Sequence, residues 1–164
     1  MYEIDKLLKK NESFAYSFKY ADLPARPSRR LAIVTCMDAR IDVHRILGLD
    51  IGEAHVIRNA GGVVTDDVIR SLMISQLLLG TEEIAIIQHT NCGMMSFTED
   101  ELKGKIEERL GLRPHFALEA FKDLEREVKQ NIARVKASPF IPNKSKVRGF
   151  IYDVKSGRLN EVKY

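Results

Sequence analysis

Three short strand-like runs, separated by helix-like patterns, most constrain what this chain can fold into. They occupy residues 30–37, 53–59 and 82–90, and the first and third contain unbroken apolar stretches rich in Ile, Val and Ala. Short apolar runs of this kind are typical of strands buried on both faces. Helical patterns at 42–49 and 65–79 fill the intervals. Strands alternating with helices predict an α/β fold with a mainly parallel central sheet and helices on both faces.

The N-terminal stretch is expected to form a helical arm outside this core. Residues 2–20 carry scattered apolar side chains among charges, which predicts one or two short helices. The prolines of the LPARPS segment (23–28) then force an extended connection. We therefore expect a single domain over residues 1–164, in which a helical arm at 1–27 precedes an α/β core at 28–164.

The second half of the chain predicts two further helices and a hairpin. Thr98 followed by Glu101 is a capping-box pattern that begins one helix. A longer helix is expected to open at Pro114, because apolar residues recur every three or four positions as far as Val135. Residues 147–162 predict a closing hairpin, which adds one antiparallel edge strand to the sheet.

The composition excludes several classes of protein. Of 164 residues, 26 are Lys or Arg and 23 are Asp or Glu, and the net charge of +3 is spread along the chain. Without a dense basic stripe, we expect no nucleic-acid partner. No apolar run approaches the ~20 residues of a membrane span, and the N-terminus lacks a signal-peptide pattern. Two cysteines in such a chain favour the reducing cytoplasm, the alternative being a Cys36–Cys92 disulfide.

Two cysteines and one histidine are predicted to meet at the switch point of the sheet. If the first strand is central, with the second and third on either side, the chain direction reverses between strands one and three. Cys36 ends the first strand, His89 ends the third, and Cys92 follows three residues later. Zinc accepts thiolate and imidazole together, and three protein ligands with an open fourth position are typical of catalytic sites. The pattern predicts one Zn²⁺ per chain.

The CMDAR stretch indicates how such a site could be tuned. In an extended segment Cys36, Asp38 and Arg40 point to the same side. Two thiolates neutralise the charge of Zn²⁺, so a bound hydroxide near neutral pH needs further help. Asp38 can accept the hydrogen bond of that hydroxide, and Arg40 can keep Asp38 ionised and in place. Asp38 could instead bind the zinc itself, which would be an inactive arrangement.

Less specific interpretations compete with this one. Cys36 could be a buried cysteine beside a surface ion pair, whereas a redox role is disfavoured because the cysteines lack the C-x-x-C arrangement. Gly61 and Gly62 precede a helix N-terminus that could receive an anion, so we place them among the substrate-binding residues; a tight turn packed beside the metal loop is the alternative. His115 could pass protons at the mouth of the site, or it could be a surface histidine.

These motifs resemble the β-class carbonic anhydrases. That family carries C-x-D-x-R followed later in the chain by H-x-x-C, and here Cys36 and His89 are 53 positions apart. The RNAGG segment (58–62) and the closing hairpin are similar too, so the resemblance covers residues 28–162, at the length of the small prokaryotic members. The resemblance implies that Cys36, His89 and Cys92 are the zinc ligands. It also implies that Asp38 and Arg40 form a catalytic pair.

The resemblance also implies a reaction and an assembly. The expected reaction is the reversible hydration of CO₂ to bicarbonate and a proton, by attack of zinc-bound hydroxide. Family members form dimers or higher oligomers whose N-terminal helices embrace the neighbouring subunit, so we expect a homodimer or homotetramer. Two alternatives stay open: hydrolysis of COS or CS₂ at the same zinc site, and a non-catalytic zinc-binding protein on this fold. Met37 departs from the Ser or Ala of many members, which we expect to be a packing change.

Overall fold

The structure, a computed structural model, describes residues 2–164, and within them helices and strands alternate along most of the chain. The helices are α1 (Glu3–Tyr16), α2 (Val43–Leu47), α3 (Asp66–Leu77), α4 (Glu99–Leu110) and α5 (Leu124–Ala137), and the strands are β1 (Leu31–Cys36), β2 (Ala54–Asn59), β3 (Glu83–His89), β4 (Val147–Tyr152) and β5 (Leu159–Val162).

The five strands form one sheet in the order β2-β1-β3-β4-β5. The first four strands of that order are parallel to one another, and β5 pairs antiparallel with β4. Strand β1 therefore lies between β2 and β3, and the predicted α/β class and the predicted switch point are both confirmed. The carboxyl ends of β1 and β3, where ligand sites of such sheets lie, are neighbours.

Helices cover both faces of the sheet. Alternate residues of each buried strand point to opposite sides, so each face has a core of its own. On one face Val34 and Ile86 pack in a core with Leu72 of α3 and Ile132 of α5. On the other face a second core includes the following residues of β1, α2 and the segment before α5: Ile33, Val43 and Phe121. This second core also contains both cysteines, so the predicted site is embedded in it.

The local signals for helix ends are confirmed where the side chains make the expected bonds. The Thr65 hydroxyl accepts a hydrogen bond from the Val68 N–H at the start of α3. At the start of α4, Thr98 and Glu101 form both halves of the capping box. Gly48 ends α2 in the left-handed conformation that glycine adopts without strain.

The helix predicted to open at Pro114 is wrong in its first ten residues. Helix α5 begins only at Leu124, where the Asp123 side chain accepts from the Arg126 N–H. The preceding segment cannot be helical because Glu119 has a φ of 61°. The Leu118 N–H is bonded instead to the Glu99 carboxylate, at 2.6 Å, which ties this segment to α4.

The N-terminal segment forms one helix, α1, in which every residue is at least partly exposed. Its apolar side chains Ile4, Leu7 and Leu8 are each more than half exposed. A hydrogen bond from the Tyr20 hydroxyl to Asp50, at 3.1 Å, connects the following turn to the core. Across residues 2–164, no helix has both the length and the apolar character that crossing a membrane requires.

Candidate metal centre

The three predicted ligands come together at the carboxyl ends of β1 and β3. Cys36 is the last residue of β1, His89 is the last residue of β3, and Cys92 lies in the loop that follows. The sulfur atoms and a ring nitrogen lie within 4.8 Å of one another, and all three residues are buried. Both cysteines are free thiols, so the alternative of a Cys36–Cys92 disulfide is not what the structure contains.

The histidine ring is prepared to donate a lone pair. His89 Nδ1 lies 2.8 Å from the Thr90 carbonyl oxygen. Because a carbonyl can only accept, Nδ1 carries the hydrogen and Nε2 carries the lone pair. Among residues 2–164, His89 Nε2 is a buried atom without a hydrogen-bond partner. An unsatisfied buried polar atom costs about 1–3 kcal/mol, and a metal bound at Nε2 would remove that cost. Two thiols and this nitrogen fit Zn²⁺.

The two cysteine thiols shift each other's pKa in opposite directions. The pKa of the Cys36 thiol is lowered, chiefly because the Cys92 thiol donates to its thiolate, with smaller help from the backbone N–H groups of Asp38 and Gly61. Burial opposes this shift. The pKa of Cys92 is raised, because its proton is held by Cys36 and because the site is buried. These opposite shifts favour one state of the metal-free pair, in which Cys92 keeps a proton that it shares with the Cys36 thiolate.

Asp38 and Arg40 form a tight ion pair beside the cluster. Asp38 Oδ1 accepts from Arg40 Nε at 2.9 Å, and Oδ2 accepts from Nη2 at 2.7 Å. Arg40 Nη2 also donates to the Asn91 carbonyl at 2.9 Å. The Arg40 guanidinium holds the pKa of the Asp38 carboxyl well below its usual range, so Asp38 is ionised at neutral pH. Asp38 Oδ2 lies 3.7 Å from His89 Nε2.

An apolar cavity of about 320 Å³ opens directly onto the cluster. Its walls include both cysteines and Asp38, and sequence reasoning missed the remaining apolar side chains, which are Met37, Ala60, Met94 and Phe97. Met37 is 65% exposed at this cavity, so the expected packing change is wrong. A larger cavity of about 790 Å³, between the start of α3 and the end of α5, contains none of the cluster residues.

Comparison with known proteins identifies the family. The protein-family model described as carbonic anhydrase matches residues 31–159. This chain belongs to the carbonic anhydrase family. Beta-carbonic anhydrase 1 from Mycobacterium tuberculosis is 52% identical over 158 residues, which is 96% of both proteins. The crystal structure of a carbonic anhydrase from Streptococcus mutans matches with a TM-score of 0.95 and 44% identity, over 99% of both chains. The resemblance to the β-class is confirmed.

Carbon disulfide hydrolases are relatives as well. One from Acidithiobacillus thiooxidans is 37% identical over 152 residues, covering 80% of this chain and 76% of its own length. Relatives of this chain are thus named for two different reactions, so the substrate has to be argued from the site.

In this member of the family, the glycine turn packs against the first ligand. Gly61 and Gly62 have φ values of 85° and 62°. A side chain on Gly62 would place its first carbon 2.8 Å from the Cys36 nitrogen. The Gly61 carbonyl accepts from the buried Gln88 amide at 2.7 Å, and Gly61 also borders the cavity. Close packing accounts for Gly62, which does not line the cavity, whereas a substrate-binding role for Gly61 stays a prediction.

The loop after His89 is supported by the closing hairpin. The Thr90 N–H donates to the Tyr152 carbonyl at 3.0 Å. The Thr90 hydroxyl accepts from the Val154 N–H at 3.1 Å and lies 3.3 Å from an Asp153 carboxylate oxygen. Because Thr90 also supplies the carbonyl that orients the His89 ring, the hairpin helps to fix that ring.

His115 does not lie in the site. It is exposed in the segment before α5, with its ring 5.5 Å from that of Phe116, and it does not line the cavity.

Proposed function

We propose that this chain catalyses the reversible hydration of CO₂ to bicarbonate and a proton, with one Zn²⁺ held by Cys36, His89 and Cys92. The observation that carries the proposal is the juxtaposition of three parts. A two-thiol, one-imidazole cluster, an ionised Asp38–Arg40 pair and an apolar cavity meet at one edge of the sheet. Membership of the carbonic anhydrase family supports the same reaction.

The ligand residues are prepared to hold the metal. The Thr90 carbonyl fixes the His89 tautomer, and Cys36 is already the more acidic of the two thiols. When bound, Zn²⁺ would act as a Lewis acid that lowers the pKa of a coordinated water. Loss of the shared proton from Cys92 would complete a site with two thiolates.

Asp38 is proposed to orient the attacking oxygen. An ionised carboxylate has no hydrogen to donate, so it can only accept one from a neighbouring hydroxyl group. Arg40 keeps Asp38 ionised through two parallel hydrogen bonds, and the Asn91 carbonyl holds Arg40 in turn. The apolar walls formed by Met37, Met94 and Phe97 suit a small apolar substrate, because CO₂ needs little polar recognition.

The proposal is tested by stopped-flow CO₂ hydration between pH ~6.5 and ~9, on protein whose zinc has been counted, with Asp38→Asn as the variant. Asp38→Asn is expected to keep its zinc and to lose about 10²-fold in kcat/KM, the usual effect of removing one aligned hydrogen-bonding group. Asp67→Asn is the matched control, because Asp67 is an exposed residue of α3 paired with Arg70. Zinc-loaded wild-type protein without hydration at any pH would contradict the proposal.

Hydrolysis of COS or CS₂ is the second candidate, and the carbon disulfide hydrolase relative favours it. The same protein should therefore be offered CS₂, with release of sulfide as the measurement. Higher turnover of CS₂ than of CO₂ would transfer the assignment to the hydrolase. If the zinc-loaded protein turned over neither CO₂ nor CS₂, a non-catalytic zinc-binding protein would be the better description.

We further propose a homodimer or homotetramer in the cytoplasm. Ile4, Leu7 and Leu8 fall on one side of α1 at helical spacing, yet they are exposed in the single chain. A second copy of the chain would bury them, and the two free thiols suit a reducing compartment. Light scattering should give a mass of two or four chains, and Leu7→Asp with Leu8→Asp should lower it.

A further inference from the structure

We infer that Arg58 is a positioning residue of this site, because its guanidinium clamps the two backbone carbonyls that flank Met37. Arg58 Nε donates to the Cys36 carbonyl at 3.0 Å, and Arg58 Nη2 donates to the Asp38 carbonyl at 2.8 Å. One carbonyl belongs to a proposed zinc ligand and the other to the proposed orienting carboxylate. The inference rests on the proposed function, since it concerns the same site.

The clamp works where the sheet no longer holds the chain. Cys36 is the last residue of β1, and Asp38 lies beyond the ladder. Between the two clamped carbonyls, the Met37 N–H donates to the Asn59 carbonyl at 2.8 Å. One backbone group in each of three successive residues is thus bonded to one of two successive residues of β2. Strand β2 therefore holds the loop for two residues beyond the end of the strand pairing.

Two arginines hold Asp38 in complementary ways. Arg40 binds its carboxylate, whereas Arg58 binds the backbone that carries it. The Asp38 carbonyl also accepts from the Ile41 N–H at 3.0 Å, but that bond is local to the loop and does not tie it to the sheet. Without Arg58, the Asp38 carbonyl would lose its bond to β2, and the carboxylate could move relative to the metal ligands. A displacement of about 1 Å in a reacting or orienting group can cost about 10²-fold in rate.

The geometry requires a forked cation. The two acceptors belong to different residues, and Arg58 reaches them with two different nitrogen atoms held rigidly in one plane. A lysine ammonium keeps the positive charge but cannot reproduce both directions. Replacement by lysine therefore separates the effect of the clamp from that of the charge.

The test compares Arg58→Lys and Arg58→Met with a control, Arg45→Met, at an exposed arginine of α2. Each variant is loaded with Zn²⁺ for CO₂ hydration and with Co²⁺ for the thiolate-to-cobalt absorption band. We expect about one metal per chain in every variant. For both Arg58 variants we expect kcat to fall about tenfold with little change in KM, which is within the loss of rate given above for a displaced group. The cobalt band should shift or broaden in both Arg58 variants and stay unchanged in Arg45→Met.

Full activity and an unchanged cobalt band in Arg58→Lys would overturn the clamp, because charge alone would then suffice. The same results in Arg58→Met would remove any role for Arg58. If Arg58→Met fails to fold, Arg58→Lys decides. If the wild-type protein does not hydrate CO₂ but the Arg58 variants alter the cobalt band, the clamp stands and the proposed function fails.

Discussion

Replacing Gly62 by alanine tests how closely the glycine turn packs on the first ligand. Gly62 has a φ of 62°, and an alanine in this left-handed region costs about 1–2 kcal/mol. The added carbon would lie 2.8 Å from the Cys36 nitrogen and 2.8 Å from the Thr35 carbonyl carbon. Both are backbone atoms of β1, so neither can rotate away, and overpacking costs about 1–3 kcal/mol more. The expected destabilisation is about 2–5 kcal/mol, which lowers Tm by about 4–20 °C at this chain length.

Alanine substitutions at two other glycines separate the cost of backbone strain from the cost of close packing. Gly48 has a φ of 64° with open space around its missing side chain, so Gly48→Ala should cost only the backbone strain, about 1–2 kcal/mol. Gly104 lies inside α4, also with open space, and Gly104→Ala should stabilise the protein by about 0.5–1 kcal/mol. Calorimetry of the zinc-loaded variants is the assay, with zinc counted before each scan. A Gly62→Ala protein that melts with Gly48→Ala would refute the close-packing argument.

Two further predictions follow from the titrating groups. Adding Zn²⁺ to metal-free protein at pH ~7 should release about one proton per chain from Cys92, since Cys36 is already the more acidic thiol, and zinc affinity should fall as pH falls. Calorimetric titration in two buffers of different ionisation enthalpy measures this release, and no release would be inconsistent with the shared proton. Burial raises the pKa of Glu127, so its favourable neutral form is lost as pH rises above its ordinary value of 4.5. Glu127→Gln keeps an acceptor for Asn131, so its free energy of unfolding should rise relative to wild type between pH ~4 and ~8 in urea titrations, and a difference independent of pH would contradict this.

The parts of the fold that were predictable depend on local patterns. A strand buried on both faces needs a continuous apolar run, and β1 and β3 carry one each. Once those strands are neighbours, their carboxyl ends bring Cys36 and His89 together without further information. The spacing of Asp38 and Arg40 then predicts an ion pair beside them, which the structure contains.

The parts that were not predictable depend on contacts between distant residues. The apolar spacing after Pro114 fits a helix. In the structure, however, the Leu118 N–H donates to the Glu99 carboxylate, and Phe121 is buried although it lies in an irregular segment. Nothing near Arg58 in the chain indicates that it reaches the end of β1, since that contact needs the register in which Thr35 pairs with Arg58. Whether a division between arm and core at residue 27 has functional meaning stays a prediction.

The bonds between Thr90 and the closing hairpin bear on how the protein matures. The residues that bond to Thr90 are Tyr152, Asp153 and Val154, which follow His89 by more than 60 positions in the chain. A nascent chain on the ribosome therefore carries all three ligands long before the hairpin that steadies the histidine loop has emerged. A product truncated before the hairpin would hold all three ligands without the bonds that support the histidine loop.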